Sequence, residues 1–277
     1  MFTTLMKYEW IATRRMFGFI AGISWLIVAC IGVFQTFMFE PLSSLIFGIS
    51  LVVSIGTTFV CSVVFVYEYF QSMYGRRGYF THSLPVKGRT IVAAKTVYYI
   101  IVMLVVAVTF ILQMGFAILM YQWDRGVSIS TMLSSLSDIF VAANALPITF
   151  ITIIVLLGII EGVLFWEFAI TVGNRPMFAQ LGKVVGPIIV VAVTQIVTQI
   201  VSVIMIVFAP GILTFNESAQ GAGGWSVNWT ISISSKLMAS QPTDAMVPLG
   251  IFIALLLYIV FFWWATVRSV ERATSLR

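Results

Sequence analysis

The chain has 277 residues and a formal net charge of +5; 60% of its residues are hydrophobic, only 9% are charged, and its mean hydropathy is +1.06. An ordinary soluble domain carries roughly 25% charged residues, so this composition excludes one and describes a polytopic membrane protein. The cationic excess is then read as loops kept on the cytoplasmic side, not as a nucleic-acid surface.

Taken in chain order, residues 1–16 are expected to form a short helix in the inner membrane interface. On a helical wheel Thr3, Lys7 and Arg14 share one side, and Phe2, Leu5, Met6 and Ala12 share the other. Glu9 falls on the apolar side, where it either bridges to Arg76 or Arg77 or reaches out to water. Lys7, Glu9, Arg14 and Arg15 precede an apolar run of full spanning length, which predicts a retained signal anchor in place of a cleaved leader.

A span needs about 20 mainly apolar residues. Six runs qualify: 17–39, 42–67, 96–121, 146–172, 184–209 and 249–267. The first two form a tight hairpin with Glu40 and Pro41 as its turn. Cys30 and Cys61 then lie ~15 Å apart in depth, beyond the Cα separation of about 7 Å that a disulfide tolerates, so both are expected to be free, buried and apolar. Gly18 with Gly22, and Gly158 with Gly162, are small-xxx-small pairs that read as close packing. The single histidine removes His-rich metal sites, and no metal site is expected.

The one long charged interruption is Glu68 to Lys95, which carries Arg76, Arg77, Lys87, Arg89, Lys95 and the only histidine, His82. Thirteen Lys and Arg residues fall on the side of this loop and both termini, and only Arg125 and Lys236 on the other. That asymmetry predicts that both termini are cytoplasmic. Trp10, Tyr67, Tyr69, Tyr98, Tyr99, Trp263 and Trp264 are placed at inner boundaries as interfacial anchors, and Tyr121, Trp123, Trp225 and Trp229 near or beyond outer ones.

Two spans carry polar stripes at spacings near four. The second holds Ser50, Ser54, Thr57, Thr58 and Ser62, and the fifth Thr194, Gln195, Thr198, Gln199 and Ser202. Such groups either bond between helices or line a water-filled path; Ser54, Thr58, Gln195 and Gln199 are the candidates for a translocation path. The fourth span holds two carboxyl groups, Glu161 and Glu167. Each is either protonated or directed at water or amide donors such as Gln113, Gln195 or Gln199, and their spacing of six puts them on different faces, so they do not form an acid/base pair. Outside the membrane, residues 122–145 suggest a short surface helix built on Leu133, Leu136, Ile139 and Phe140. The Gly/Ser/Asn-rich segment 210–248, with Trp225 and Trp229, suggests a partly ordered cap.

A phosphate-binding loop needs G-x-x-x-x-G-K-[ST]. The nearest fragment, Gly182-Lys183-Val184, lacks both the hydroxyl and the earlier glycine, so this chain is not expected to hydrolyse ATP or to be an enzyme. H-E-x-x-H, paired cysteine ligands and G-x-S-x-G are also absent.

The run Tyr79 to Lys95 resembles the membrane-domain permeases of the type-2 ATP-binding-cassette (ABC) exporter family. Leu84-Pro85-Val86, the basic Lys87 and Arg89, and Lys95 at the start of the third span are the matching residues, while Ala94 departs from a common glycine. The order of features along the whole chain is also similar to that family. The resemblance implies an all-α fold: six transmembrane helices, an N-terminal interfacial helix and a cytoplasmic coupling helix within 69–84, all in one permease domain over 1–277. It implies a cytoplasmic-membrane protein, taken here as bacterial, that exports a lipid-like, peptide or drug-like substrate. Its partners would be cytoplasmic ABC ATPase subunits, which bind the ATP and Mg, a second permease subunit in a homodimer or heterodimer, and membrane lipid; nucleic acid is not expected. Arg76, Arg77, Tyr79, Phe80, His82 and Leu84 are the implied ATPase contacts. Pro85 would end the coupling helix before the third span begins. The competing readings are a non-transporting peptide-sensing or immunity subunit of the same build, and an integral membrane enzyme using Glu161 or Glu167.

Overall fold

The computed structural model describes residues 2–75, 77–83, 86–128, 130–131, 134, 145–208, 212–215, 225–228 and 246–272. Among them are six helices long and apolar enough to cross a membrane, one for each expected run. They are α1 (Phe2–Gln35), α2 (Glu40–Met73), α4 (Gly88–Asp124), α5 (Ala145–Gly173), α6 (Gly182–Phe208) and α7 (Gly250–Arg272), with a six-residue helix α3 (Gly78–Ser83) between α2 and α4. The protein is therefore a multi-pass helical membrane protein. One addition to the all-α expectation lies within 210–248: an antiparallel sheet of β1 (Ile212–Phe215), β2 (Trp225–Asn228) and β3 (Met246–Pro248). Strand β1 is central, pairing Ile212 with Asn228 on one side and with Pro248 on the other.

The chain divides into two compact units, Met1–Asp138 with Leu276–Arg277, and Ile139–Ser275. In the first unit α1, α2 and α4 pack on one another. At 1.5 Å per residue the 34 residues of α1 reach ~51 Å and the 37 of α4 ~55 Å, well beyond a hydrocarbon core of about 30 Å. The apolar surface of these helices would be equally content in lipid, so specific pairing must come from polar rungs and close packing. Three polar residues of α1, Thr13, Ser24 and Gln35, recur every 11 residues, almost three whole turns, and so lie on one face; all three are buried.

Each of these residues finds a partner. Thr13 shares a hydrogen bond with Tyr98, and Ser24 accepts one from Gln113 Nε2 at 2.8 Å. Gln35 Nε2 donates to Ser43 Oγ at 3.3 Å, and that hydroxyl donates to Asp124 Oδ2 at 2.5 Å. The α1–α4 partners are 85 and 89 positions apart in sequence, nearly a constant offset, so the two helices run parallel, with α2 antiparallel to both.

In the second unit α5, α6 and α7 enclose a core of Leu164, Phe165, Phe168, Ala169, Val190, Phe262 and Ala265. Tyr258 ties α7 to α6 by donating to the Thr198 carbonyl at 2.8 Å, with Ser202 Oγ 3.0 Å away. Arg175 Nε, between α5 and α6, donates to Ser269 Oγ of α7 at 2.7 Å. The end of α5 and the start of α6 touch backbone to backbone. A Cβ on Gly173 would lie 2.3 Å from the Pro187 nitrogen, and one on Gly186 would lie 2.2 Å from the Gly173 carbonyl oxygen. Only glycine fits either position.

Several expectations change. Phe2–Gln35 is one unbroken helix, so residues 2–16 extend the first span instead of forming an element of their own; Glu9 and Thr13 are engaged by α4. The hairpin turns at 36–39, four residues earlier than expected, because Pro41 occupies the first turn of α2, where its missing N–H costs nothing. Cys30 and Cys61 are both free, but Cys30 is exposed because it lies off the buried face of α1. Tyr69, Tyr98 and Tyr99 are buried core residues, not interfacial anchors. Gly18, Gly22, Gly158 and Gly162 make no close contact: a Cβ on any of them meets nothing within 4 Å among the described residues. The expected surface helix on Leu133, Leu136, Ile139 and Phe140 lies outside the described residues, as does Trp229.

Substituting Gly186→Ala should cost about 1–3 kcal/mol by overpacking and lower the thermal midpoint in detergent. Gly158→Ala, with open space at its Cβ, should leave the midpoint where it was. Equal behaviour of the two variants would contradict the backbone crossing.

Candidate functional site

The segment from Glu68 to Lys95 is built on the end of α2. Tyr74 N–H and Gly75 N–H both donate to the Phe70 carbonyl, closing the helix, and Gly78 N–H donates to the Gly75 carbonyl at 3.0 Å to turn the chain back. Helix α3 then lies directly on the last turn of α2. A Cβ on Gly78 would sit 2.5 Å from the Met73 carbonyl oxygen, so glycine is what allows the approach. Two side chains fasten α3 in place: Thr81 Oγ1 donates to the Ser72 carbonyl at 2.8 Å, and Arg77 Nη2 bonds Glu68 Oε2 at 2.6 Å.

From the other side comes Lys95, in the second turn of α4. Its side chain is only 4% exposed and forms an ion pair with Glu9 of α1, itself 17% exposed. Lys95 Nζ also donates to Ser72 Oγ at 3.0 Å, and that hydroxyl donates onward to the Tyr69 carbonyl at 3.0 Å. Ser72 is thus a junction: its carbonyl holds α3, its hydroxyl holds Lys95, and Lys95 holds α1. Removing one member of such a buried pair costs about 3–5 kcal/mol, because the other charge is left without a partner. Packed beside the knot is a cluster of rings. Phe65 and Tyr99 have centroids 4.7 Å apart, Tyr69 and Tyr99 6.1 Å, and Tyr98 and Tyr99 5.2 Å.

The arrangement is mechanical in character. Three helices, α1, α2 and α4, meet at one buried ammonium, whose charge is met by Glu9 and Ser72, and α3 joins through the Ser72 carbonyl. On the outer side of α3, Tyr79 is 69% exposed and the Arg77 side chain about half exposed.

Of the expected contact residues, Arg77 and Tyr79 are therefore on or beside α3 and accessible. Phe80 and His82 lie within the helix, but their side chains, like Arg76 and Leu84 altogether, are outside the described residues, as is Pro85. The expected partner of Glu9 is corrected: the carboxylate meets Lys95, and Arg77 is taken by Glu68.

The polar stripe of α2 is satisfied within its own helix. Ser54 donates to the Ser50 carbonyl, Thr57 to Val53, Thr58 to Ser54 and Ser62 to Thr58, each four residues back. Hydroxyls that back-bond in this way need neither a neighbouring helix nor water. Ser54 is buried and Thr58 half-buried in the first unit; Gln195 and Gln199 are exposed on α6 in the second. On α5, Glu161 is half-buried and Glu167 fully buried. Gln113, one of the amides considered for these carboxyls, donates instead to Ser24.

Sequence reasoning missed Ser72, Glu68 and Thr81, whose roles depend on the chain turning back at Gly75 and Gly78. The signal that could have found Lys95 was Glu9 on an apolar face, since a buried anion calls for a buried cation. No family model, curated protein or solved structure matches the chain.

Replacing Gly78 by Ala should unseat α3 and speed tryptic cleavage after Arg77 roughly tenfold, a factor equivalent to about 1.4 kcal/mol of lost packing. Tyr79→Ala, on the exposed side of α3, should cleave like the unaltered protein. If Gly78→Ala is no more sensitive than Tyr79→Ala, the seating of α3 on Met73 is wrong.

Proposed function

We propose that this chain is the permease subunit of an ABC exporter, moving a lipid-like, peptide or drug-like substrate across the cytoplasmic membrane. The energy comes from ATP hydrolysed in a separate ATPase subunit, and a second permease, identical or related, completes the transporter. Both termini and the 68–95 segment face the cytoplasm in this reading, as the distribution of Lys and Arg indicates.

The observation that carries the reading is the fastening of α3. A helix bonded to the Ser72 carbonyl, with Ser72 bonded in turn to Lys95, links its position to the ends of both α2 and α4. That is the property a coupling element needs if closure of a soluble motor is to become movement of spans. Its outer side offers a large aromatic ring, Tyr79, beside a cation, Arg77, the residue types that anchor protein interfaces. The resemblance of 79–95 to type-2 exporter permeases points the same way.

The peptide-sensing alternative draws on the sheet of β1, β2 and β3, an ordered element outside the spans. Net substrate movement into sealed vesicles separates the two readings.

Affinity purification from the native membrane should recover an ATP-hydrolysing partner with the unaltered chain. Tyr79→Asp should reduce that recovery about tenfold or more, as loss of a central interface anchor does. Undiminished recovery and hydrolysis with Tyr79→Asp would rule out α3 as the docking element.

A further inference from the structure

A second feature of the first unit lies outside the 68–95 segment. Between α1, α2 and α4 is a groove of about 210 Å³, lined along α1 by Trp10, Arg14, Gly18 and Ala21, with Thr57 and Cys61 at its α2 wall. Its α4 wall runs from Tyr98 to Thr109. The groove exists because α1 presents small residues there: a Cβ on Gly18 meets nothing within 4 Å.

The interior offers almost nothing polar. Thr57 Oγ1 is committed to the Val53 carbonyl and Thr109 Oγ1 to the Val105 carbonyl, both at 2.8 Å, and Tyr98 is bonded to Thr13. Only one end is charged. There Arg14 is exposed and makes no ion pair among the described residues, with Trp10 beside it. Both the α1 wall and the α4 wall extend over 12 residues, a rise of ~16 Å, which is about half of a 30 Å hydrocarbon core and so the depth of one leaflet.

We propose that this groove is a binding site for one anionic phospholipid, one of its two acyl chains lying along α4 and its phosphate headgroup taken by the Arg14 guanidinium. The chemistry is selective. An apolar slot one leaflet deep accepts an acyl chain, and an uncompensated guanidinium at its mouth favours a headgroup with net negative charge over a zwitterionic one. A cationic amphiphile is disfavoured by the same charge. Trp10 suits the boundary, where an indole keeps its ring in the apolar layer and its N–H in the headgroup layer. The site is independent of the transport reading, since it uses no residue of α3 and none of the Lys95 knot.

The test uses phosphatidylglycerol carrying a photoactivatable diazirine in its acyl chain, and the matching phosphatidylcholine probe, in vesicles containing the full chain. The phosphatidylglycerol probe should label residues 98–109 about tenfold more than the phosphatidylcholine probe, whose choline ammonium cancels the phosphate charge that faces Arg14. Arg14→Gln should abolish the difference between probes. Gly18→Leu fills the groove and should reduce labelling of 98–109 by either probe to the level found on the exposed face of α6, with the thermal midpoint unchanged. Ala21→Phe does the same from the next turn and serves if Gly18→Leu fails to fold. Equal labelling by the two probes, or labelling that survives both Gly18→Leu and Ala21→Phe, overturns the proposal.

Discussion

A lysine ammonium taken out of water has to be met by an anion and by hydrogen-bond acceptors, and the first unit is arranged around that demand at Lys95. Glu9 supplies the anion and Ser72 the acceptor. Because the three residues come from α1, α2 and α4, meeting the demand fixes the three helices at one end. The other rungs, Thr13 with Tyr98, Ser24 with Gln113, and Gln35 through Ser43 to Asp124, carry the same register along the helices. In lipid, apolar surface distinguishes poorly between a helix and a hydrocarbon neighbour, so these few polar contacts carry much of the specificity. The constraint reaches further through Ser72, whose carbonyl holds α3 by Thr81. Helix α3 is short, and only its attachment makes it part of a rigid end.

The second unit reaches its own solution by different means. Its tightest contact is steric, the crossing of Gly173 and Gly186, and its polar ties are Tyr258 to Thr198 and Arg175 to Ser269. One unit is thus secured through a buried charge, and the other through close backbone approach and an aromatic core.

The six spans were legible because length and apolarity alone define them. What stayed hidden depends on which partner each side chain finds. The stripe Ser50 to Ser62 has the spacing of an interhelical or path-lining face, yet its hydroxyls bond back along α2; spacing is the same in both cases. Tyr98 and Tyr99 stand near the end of an apolar run, which suits an interfacial ring equally well, and only the presence of Thr13 and Phe65 across the bundle makes them core. Gly18 and Gly22 match a packing motif whose meaning turns on whether another helix arrives; among the described residues none meets a Cβ at Gly18, and the space becomes a groove. Glu9 announced its need for a cation, but the pattern pointed to Arg76, Arg77 or water, and the cation that it meets is a lysine 86 positions away.

The dependence of the first unit on its buried pair is tested most directly by a double-mutant cycle of Glu9→Gln and Lys95→Met, read as unfolding free energy of the full chain in detergent. Each single variant should be strongly destabilised, and the double variant should lose no more than the worse single one, giving a coupling energy of about 2 kcal/mol or more. Additive losses, with a coupling near zero, would mean that Glu9 and Lys95 do not depend on each other and that something else holds α1, α2 and α4 together.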